Sequence, residues 1–370
     1  MRPMLKNAVL HRDGEDLHVM TEPETLITLS DPDGRVEALL GLLRDGTRDP
    51  AELAAALEGH GAAPTAAEVS EAIGSLDGLG ILADAEPAAG LSADQRERYF
   101  SNLAFFDTFA SLTRPAASFQ RALLDAHVVF LGTGGVGSSV IQALAGAGVG
   151  RMTLLDNDLV EVRNFARQYL YHERDIGSPK VERAADWVRA FDSRIEVRTV
   201  RQWIGGPGDV EPLLGDAALV VSGVDNPQDI DSWVNQACVA GGVPFVRGGM
   251  WPRRLVYFSV DPGRSACLEC SRQASRLAPA AGGVPGEVVL AGLDRVNRGI
   301  GPVASMVGAL VSMEALRYLT GFAAPIAAGR HRFVDLATGE EEVAAWQPWP
   351  ECPVCQSAPA ARDAPIGARL

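Results

Sequence analysis

Four of the five cysteines fall into two Cys-x-x-Cys pairs, Cys267 with Cys270 and Cys352 with Cys355. Two such pairs are the usual ligand set of a closed tetrahedral zinc site. Four thiolates leave no open position for a substrate, so the pattern indicates a structural Zn²⁺ rather than a catalytic one. The gap of roughly 80 residues is longer than in a zinc ribbon, so the metal would fasten the C-terminal end to its domain. The alternative is two reduced pairs without a metal.

A glycine-rich segment, GTGGVGS, follows directly on the apolar run 127–131. Its glycines allow a tight turn, and a helix that begins there directs free N–H groups and its dipole at an anion. The segment therefore predicts a phosphate-binding loop made of Gly132, Gly134, Gly135, Gly137 and Ser138. Taken alone, the same loop is also typical of a redox dinucleotide site, and that alternative stays open at this point.

A dense polar cluster follows the next apolar run. From Asp156 to Gln168 the chain has three carboxylates, three amides and two guanidiniums, and Lys180 comes twelve residues later. A hydride-transfer enzyme has no need for this set, whereas an enzyme that neutralises a triphosphate and expels pyrophosphate does. A salt-bridged surface turn is the alternative. The candidate ligands are Asp156, Asp158, Asn164, Arg167, Gln168 and Lys180.

One more carboxylate, Asp225, ends the apolar run ALVVSGVD. A carboxylate at the carboxyl end of a parallel strand points into the ligand crevice and can bind Mg²⁺. The alternative is a helix N-cap within Asp-Asn-Pro.

These groups need a scaffold that brings the ends of several strands together. From residue 126, short apolar runs alternate with helical segments, which is the pattern of a parallel sheet with helices on both faces. We therefore predict an α/β fold with a Rossmann-like, doubly wound sheet over residues 126–356. Ala304–Thr320 is predicted as a late helix that stops at Gly321.

The first 88 residues predict a separate, small α+β domain with a winged-helix-like order. Three strand-like runs, at Ala8–His11, Leu17–Met20 and Thr25–Ser30, precede three helical segments and a returning strand. Asp49 and Thr65 are the predicted N-caps of the second and third helix. The other segments are a linker and helical lead-in at 89–125, a loop at 279–287 and a disordered tail at 357–370.

Composition limits the possible partners. The net charge is −14 and the sequence pI about 4.9, which argues against nucleic acid or an anionic membrane as a partner. No secretion signal and no run of about eighteen apolar residues is present, so we expect a cytoplasmic protein. Residues 1–90 hold six Lys or Arg and seventeen Asp or Glu, a net charge of −11, which excludes DNA as the partner of the winged-helix-like domain.

In combination, the segments GTGGVGSSV, LLDNDLVEVRNFARQ, GSPK and VDNP resemble the ThiF/MoeB/ubiquitin-activating (E1-like) superfamily over roughly residues 96–356. The resemblance implies an adenylyltransferase that converts ATP to AMP and pyrophosphate while activating a carboxylate. It assigns the glycine loop and Asp156 to the nucleotide and Asp225 to Mg²⁺. It also implies a structural zinc. The phosphates would be held by Asn164, Arg167, Gln168 and Lys180.

Two departures from the family pattern bear on mechanism. No cysteine lies between Cys270 and Cys352, where members that form an enzyme thioester keep one, so we expect the reaction to stop at the acyl-adenylate or be completed by a nucleophile on the substrate. Cys238, in a helical stretch, is predicted to be a buried small hydrophobe. Ser101 stands where related enzymes often have the second Arg of Arg-Tyr-x-Arg, which reaches the neighbouring subunit's ATP; Arg96 or Arg98 could substitute for it.

The front domain resembles the PqqD-like precursor-recognition domain of peptide-modifying enzymes. Its combination with an activating domain resembles the microcin C-type peptide adenylyltransferases and the ThiF-like partners of azoline-forming cyclodehydratases. The resemblance implies a homodimer that adenylates the C-terminal carboxylate of a ribosomally synthesised peptide in natural-product biosynthesis, with the peptide's leader docked on residues 1–88. Two alternatives remain: a non-catalytic leader-binding partner of a cyclodehydratase, which Ser101 favours, and activation of a ubiquitin-like sulfur-carrier protein.

Overall fold

The computed structural model of the chain describes residues 2–59, 64–85, 90–251, 253–277, 297 and 299–359. The predicted loop at 279–287 lies outside the described residues, as do most of the predicted tail and part of the predicted linker. The chain forms two compact units, Met1–Arg121 and Ala122–Leu370.

The first unit begins with the order of elements that the sequence predicts, preceded by one strand that the prediction missed. The missed strand, β1, pairs antiparallel with β5, while β2, β3 and β4 form a separate antiparallel sheet. Its elements are β1 (Pro3–Leu5), β2 (Val9–Asp13), β3 (Asp16–Glu22), β4 (Thr25–Ser30), α1 (Arg35–Leu42), α2 (Pro50–Ala56), α3 (Ala66–Gly78) and β5 (Leu82–Asp84). Three helices follow in the lead-in region, α4 (Ala93–Arg98), α5 (Phe100–Asp107) and α6 (Ala116–Asp125).

Local chemistry explains where the helices of this unit begin. Asp49 caps α2, since its Oδ1 accepts from the backbone N–H of Glu52 at 2.9 Å. Thr65 and Glu68 form the predicted capping box of α3, in which Glu68 Oε2 accepts from the Thr65 N–H at 2.7 Å. The helices cover the inner face of the three-stranded sheet, where Leu17 and Val19 are fully buried.

The second unit is built on one eight-stranded sheet in the order β13-β12-β11-β10-β9-β6-β7-β8. The strands from β8 to β10 in this order are parallel, and β11, β12 and β13 extend the sheet in antiparallel fashion. The strands are β6 (His127–Leu131), β7 (Arg151–Leu155), β8 (Glu196–Val200), β9 (Leu219–Ser222), β10 (Phe245–Trp251), β11 (Arg254–Val260), β12 (Arg330–Asp335) and β13 (Glu341–Ala345).

The predicted α/β class and doubly wound parallel sheet are confirmed, but the three antiparallel strands were not predicted. The helices of this unit are α7 (Gly135–Ala147), α8 (Lys180–Phe191), α9 (Glu211–Leu214), α10 (Ile230–Gly241), α11 (Leu268–Leu277) and α12 (Gly301–Thr320). The predicted late helix is α12, which ends at Gly321 with φ of 63°. Helix α12 packs closely on β10, because a Cβ on Gly248 would lie 2.5 Å from Val311 Cγ2. None of the described helices is long and apolar enough to cross a membrane.

A buried carboxylate anchors α12 to the neighbouring chain. Glu314 has no exposed side-chain surface, and its Oε1 accepts from Ser259 Oγ at 2.9 Å and from the Ala327 N–H at 2.8 Å. Its Oε2 accepts from the Ile326 N–H at 3.1 Å and lies 3.5 Å from Arg317 Nη1. Buried charges are tolerated only when they are satisfied in this way, so Glu314 fixes α12 against β11 and the segment before β12.

We expect Glu314→Ala to lower the free energy of unfolding by about 3 kcal/mol or more, because it leaves two backbone N–H groups and a guanidinium unpaired in the interior. Urea unfolding followed by circular dichroism measures the change. The matched control is Glu342→Ala, whose carboxylate is 58% exposed and pairs with Arg254 at 2.7 Å, for which we expect less than about 1 kcal/mol. Equal losses in both variants would contradict an anchoring role for Glu314.

Candidate functional site

The glycine loop between β6 and α7 has the geometry that its sequence predicts. Gly132 has a φ of 91°, which disfavours any side chain there. A Cβ on Gly137 would lie 2.0 Å from the Gly132 carbonyl oxygen, so the loop closes only with glycine at this position. Helix α7 begins at Gly135 with Gly134 as its N-cap, which leaves the first N–H groups of the helix free to bind an anion. Ser138 is buried and donates to the Gly135 carbonyl at 3.1 Å.

Asp156 follows β7 directly and holds this loop in place. Its Oδ2 accepts from the backbone N–H of Thr133 at 2.8 Å and from Thr133 Oγ1 at 2.9 Å, while Oδ1 accepts from the Asp158 N–H at 2.9 Å. A carboxylate has about four lone-pair sites, so these three bonds leave room for one more donor. The structure therefore shows Asp156 positioning the loop, and its role as a nucleotide ligand stays a prediction.

Tyr171 is a loop-positioning residue that the sequence reasoning missed. Its hydroxyl donates to the Thr133 carbonyl at 2.7 Å and lies 2.9 Å from Thr133 Oγ1. Burial raises the pKa of Tyr171 far above its ordinary value, so the hydroxyl keeps its proton and remains a donor. A buried tyrosine needs a partner for its hydroxyl, but the sequence does not say which one.

The polar segment that follows Asp156 brings two of its predicted ligands against the loop. A Cβ on Gly135 would lie 3.4 Å from the stem of Arg167, and one on Gly134 would lie 3.8 Å from Gln168 Nε2. Gln168 is 3% exposed, and its Oε1 has no hydrogen-bond partner among the described residues. An orphaned buried acceptor needs a donor from water or from a ligand. A phosphate offers acceptors only, so a ligand would satisfy Gln168 Oε1 through a hydroxyl or amino group. Asn164 has a local role, since its Oδ1 accepts from the Glu161 N–H at 2.8 Å.

Lys180 is the first residue of α8, and its position is fixed by Asp158. Its Nζ lies 2.8 Å from Asp158 Oδ2, and its backbone N–H donates to the Asp158 carbonyl at 2.9 Å. The Lys180 side chain is 7% exposed, whereas that of Asp158 is 58% exposed. Because the Asp158 N–H donates to Asp156 Oδ1, the Lys180 ammonium group is linked to the glycine loop through Asp158 and Asp156.

Asp225 lies three residues beyond the end of β9, in a segment that runs beside the loop. The strand ends at Ser222, earlier than the apolar run suggests. A Cβ on Gly132 would lie 2.8 Å from Val224 Cγ1, so the segment that carries Asp225 packs on the glycine loop. Asp225 itself is exposed. An exposed carboxylate can supply oxygen ligands to Mg²⁺, and this role of Asp225 stays a prediction.

The two cysteine pairs meet in space, as predicted. The four Sγ atoms lie within 4.8 Å of one another. The Sγ atoms of Cys267 and Cys352 are 3.6 Å apart, as are those of Cys270 and Cys355, and Cys267 lies 4.0 Å from Cys270. A tetrahedral Zn²⁺ with ordinary Zn–S bonds requires sulfur atoms about 3.8 Å apart, so the residues fit the metal. Cys238 is fully buried elsewhere, and burial raises the pKa of its thiol well above the ordinary value.

Ser101, which stands in place of an arginine expected from the family, and the two arginines that could substitute for it all belong to the first unit. Ser101 lies on α5 and is exposed, while Arg96 and Arg98 lie on α4. Arg96 Nη1 donates to the Leu91 carbonyl at 2.7 Å, so this guanidinium is engaged locally.

We expect protein purified without chelator to contain one Zn²⁺ per chain by elemental analysis. Cys352→Ser should lose the metal, because a hydroxyl replaces a thiolate ligand, and should lower the melting temperature of the second unit. Cys238→Ser, which changes a cysteine outside the cluster, should retain one zinc. Well under one zinc per wild-type chain would overturn the four-thiolate assignment.

Comparison with known proteins agrees with this arrangement. The ThiF family model matches residues 107–354. The molybdopterin-synthase adenylyltransferase of Escherichia coli K12 is 32% identical over 239 residues, covering 64% of this chain and 89% of the relative. The sulfur carrier protein ThiS adenylyltransferase of the same strain is 28% identical over 243 residues, covering 64% and 88% respectively.

Solved structures show the same fold along nearly the whole chain. The crystal structure of Escherichia coli MccB with ATP has a TM-score of 0.73 at 21% identity, covering 96% of this chain and 100% of that one. The microcin C7 biosynthetic enzyme MccB in complex with N-formylated MccA has a TM-score of 0.74 at 22% identity, with the same coverage. At such identities the likeness concerns the fold alone. Together with the family match and the adenylyltransferase relatives, the glycine loop and its polar surroundings place this chain in the ThiF family, as a ThiF-type adenylyltransferase.

Proposed function

We propose that the chain uses ATP to adenylate the C-terminal carboxylate of a ribosomally synthesised peptide during natural-product biosynthesis. The observation that carries the nucleotide half is the buried, unpartnered Gln168 Oε1 beside the glycine loop, with Arg167 against the same loop. The peptide half is supported by the fold of MccB, which extends over 96% of this chain, including the front unit. N-formylated MccA is bound in that structure.

The reaction needs no general base, because a carboxylate is already the nucleophile. A carboxylate oxygen attacks the α-phosphorus of ATP, the bond to the bridging oxygen of the β-phosphate breaks, and pyrophosphate leaves with the electron pair. The free N–H groups at the start of α7 hold the phosphates, while Arg167 and Lys180 neutralise the charge that develops. Asp225 would hold Mg²⁺, which supplies further charge neutralisation when bound. Catalysis is then a matter of position and electrostatics.

The front unit offers two strand edges on which the leader of the peptide can dock. In the sheet β2-β3-β4 the outer strands β2 and β4 have one edge each without a partner strand among the described residues. Val9 on β2 and Leu26 on β4 are 62% and 58% exposed. A peptide that adds a strand to such an edge gains main-chain hydrogen bonds with little demand on its sequence. The proposal includes a homodimer, as the family resemblance implies.

Two other functions make different predictions. The named relatives are adenylyltransferases of molybdopterin synthase and of the sulfur carrier protein ThiS, which favours a small carrier protein as the substrate. Ser101, which replaces an expected arginine, favours a module that binds a leader for a separate cyclodehydratase without catalysis. Pyrophosphate exchange that depends on a peptide supports our proposal, and exchange that depends only on a sulfur-carrier protein contradicts it. Peptide binding without any exchange favours the non-catalytic module.

We expect Lys180→Ala to lower the rate of peptide-dependent ATP–pyrophosphate exchange on the order of 100-fold, because a cation that stabilises the leaving phosphates is lost. Arg189→Ala is the control on the same helix, since the Arg189 side chain is 48% exposed and reaches Asp186 at 3.5 Å. The control should keep the wild-type rate. A Lys180→Ala enzyme with unchanged exchange would remove Lys180 from the phosphate site, and unchanged exchange in Asp225→Ala would remove Asp225 from the magnesium site.

We expect Tyr171→Phe to raise the KM for ATP about threefold to tenfold with a smaller effect on the KM for the peptide, because the glycine loop loses its bond to the Tyr171 hydroxyl. Steady-state exchange at varied ATP concentration measures this. Tyr318→Phe is the matched control, because it removes another buried hydroxyl, bonded to Ser259 Oγ at 3.1 Å beside Glu314. The control should lose stability and keep its KM for ATP. Equal KM values in both variants would show that Tyr171 has only a structural role.

A further inference from the structure

A second polar group is built around Arg247 on β10, on the face of the sheet that carries α10, and the proposed adenylation does not use it. It consists of Ser222, Asp231, Arg247 and His331, which we call the Arg247 cluster. Ser222 and Arg247 are register partners on β9 and β10, so their side chains point to the same face. Ser222 is three residues before Asp225, which places the cluster beside the predicted phosphate site.

Arg247 and Asp231 form a half-buried ion pair that leaves hydrogen-bonding capacity unused. Arg247 Nε donates to Asp231 Oδ1 at 2.7 Å, with side chains that are 13% and 29% exposed. Arg247 Nη1 donates to the Gly248 carbonyl. Within the described ranges, neither Arg247 Nη2 nor Asp231 Oδ2 has a partner. The guanidinium lies over Gly249, where a Cβ would come within 3.2 Å of Nη1, so the absence of a side chain there makes room for it.

His331 adds a neutral donor to the same face. The Trp346 indole N–H donates to His331 Nδ1 at 3.1 Å, so Nδ1 is unprotonated and the ring proton is on Nε2. Burial lowers the pKa of His331 to about 4, which keeps the ring neutral at pH 7, although the charge of Asp231 opposes the shift. The ring stands perpendicular to Phe258 at 5.1 Å, and Phe258 is the register partner of Arg247. No described residue accepts from Nε2.

Ser222 supplies a further unsatisfied group. The residue has no exposed surface, and its Oγ has no hydrogen-bond partner in the part of the chain that the structure describes. Such a group is rare in a folded protein and needs a ligand or water to satisfy it. Ser222 itself has no exposed surface, so the groups that the cluster offers to a ligand are two N–H donors and one carboxylate acceptor, with a net charge of zero.

This combination selects an uncharged ligand with both an N–H and a C=O group. A carboxylate would face Asp231 and an ammonium group would face Arg247, so either ion meets a like charge in a partly desolvated site. A peptide amide meets a donor for its oxygen and an acceptor for its N–H. Trp251 lies on the same face of β10 and is 45% exposed, and its ring centroid is 5.2 Å from that of Phe333. In this position Trp251 would cover an apolar side chain next to that amide.

We propose that the Arg247 cluster binds the main chain of the substrate at the peptide bond that precedes the reacting carboxylate. The inference rests on the proposed adenylation of a peptide and adds to it a recognition site for an uncharged, extended terminal segment. Arg247 Nη2 and His331 Nε2–H would donate to the peptide carbonyl, and Asp231 would accept from the peptide N–H. In this role the residues fix the distance between the carboxylate and the α-phosphate and do not take part in bond making.

The test compares an amide with an ester at one position. The probe is the N-acetylated tetrapeptide with a free carboxyl group that gives the fastest exchange in a synthetic panel, and its analogue has an ester in place of the last amide. The wild-type enzyme should prefer the amide about tenfold in kcat/KM, because the ester lacks the N–H for Asp231. In Asp231→Ala this preference should fall to about twofold. Arg247→Gln should raise the KM for the peptide about tenfold with the KM for ATP unchanged.

Arg254→Gln is the matched control, since Arg254 is an ion-paired arginine on the adjacent strand. It should keep the wild-type constants for both substrates. The proposal is overturned if Asp231→Ala keeps the tenfold preference, or if Arg247→Gln changes the melting temperature alone or alters both KM values equally. If no peptide supports exchange with the wild type, the proposed function fails by itself. Calorimetry that measures the binding of the panel peptides in the presence of a non-hydrolysable ATP analogue then tests the subsite. Equal peptide affinity in the wild type and in Arg247→Gln, or no binding to either, overturns the subsite.

Discussion

The carboxylate of Asp156 is the constraint on which the rest of the second unit depends. It accepts two bonds from Thr133 and one from Asp158, so it fastens the turn after β6 to the turn after β7. The start of α7, with its free N–H groups, is positioned by this contact. Without it, the glycines that let the backbone approach a phosphate would also leave the loop free to move, because glycine restricts the backbone least. Rigidity at the loop is therefore supplied by a neighbouring strand.

The parallel and the antiparallel strands of the sheet contribute to the site in different ways. Parallel strands end at the same edge, so β6, β7 and β9 bring the glycine loop, the Asp156 segment and the Asp225 segment together. The antiparallel strands β11, β12 and β13 alternate in direction and have no such common edge. The Arg247 cluster lies across the boundary between these two parts of the sheet, with Ser222 on β9, Arg247 on β10 and His331 on β12, while the thiolate cluster joins the start of α11 to the segment after β13.

The sequence predicts what is decided locally. Apart from the pairing of Cys267–Cys270 with Cys352–Cys355, which the ligand chemistry of zinc predicts across roughly 80 residues, the glycine loop and the N-caps of α2 and α3 follow from backbone sterics and hydrogen bonding over a few residues. The strands β10 to β13 do not, because Gly248 and Gly249 interrupt the apolar run of β10, and β13 (EEVAA) has hardly any apolar residues. Tyr171 and His331 acquire their roles from partners 38 and 15 residues away. No pattern within a short window specifies such contacts, so this part of the site could not be predicted.

Hydrogen bonds link the cation of the site to its loop. Lys180 contacts Asp158 through its ammonium group and its backbone N–H, Asp158 donates to Asp156, and Asp156 accepts from Thr133, whose carbonyl accepts from Tyr171. A phosphate that draws Lys180 away from the exposed Asp158 carboxylate breaks only the first link, since the backbone bond between these two residues does not involve the side chain. The loop can therefore stay in place while the ammonium group changes partners. The loop and the cation of the proposed phosphate site are thus held in position without a bound anion, which is the property that positioning and charge neutralisation would require of it.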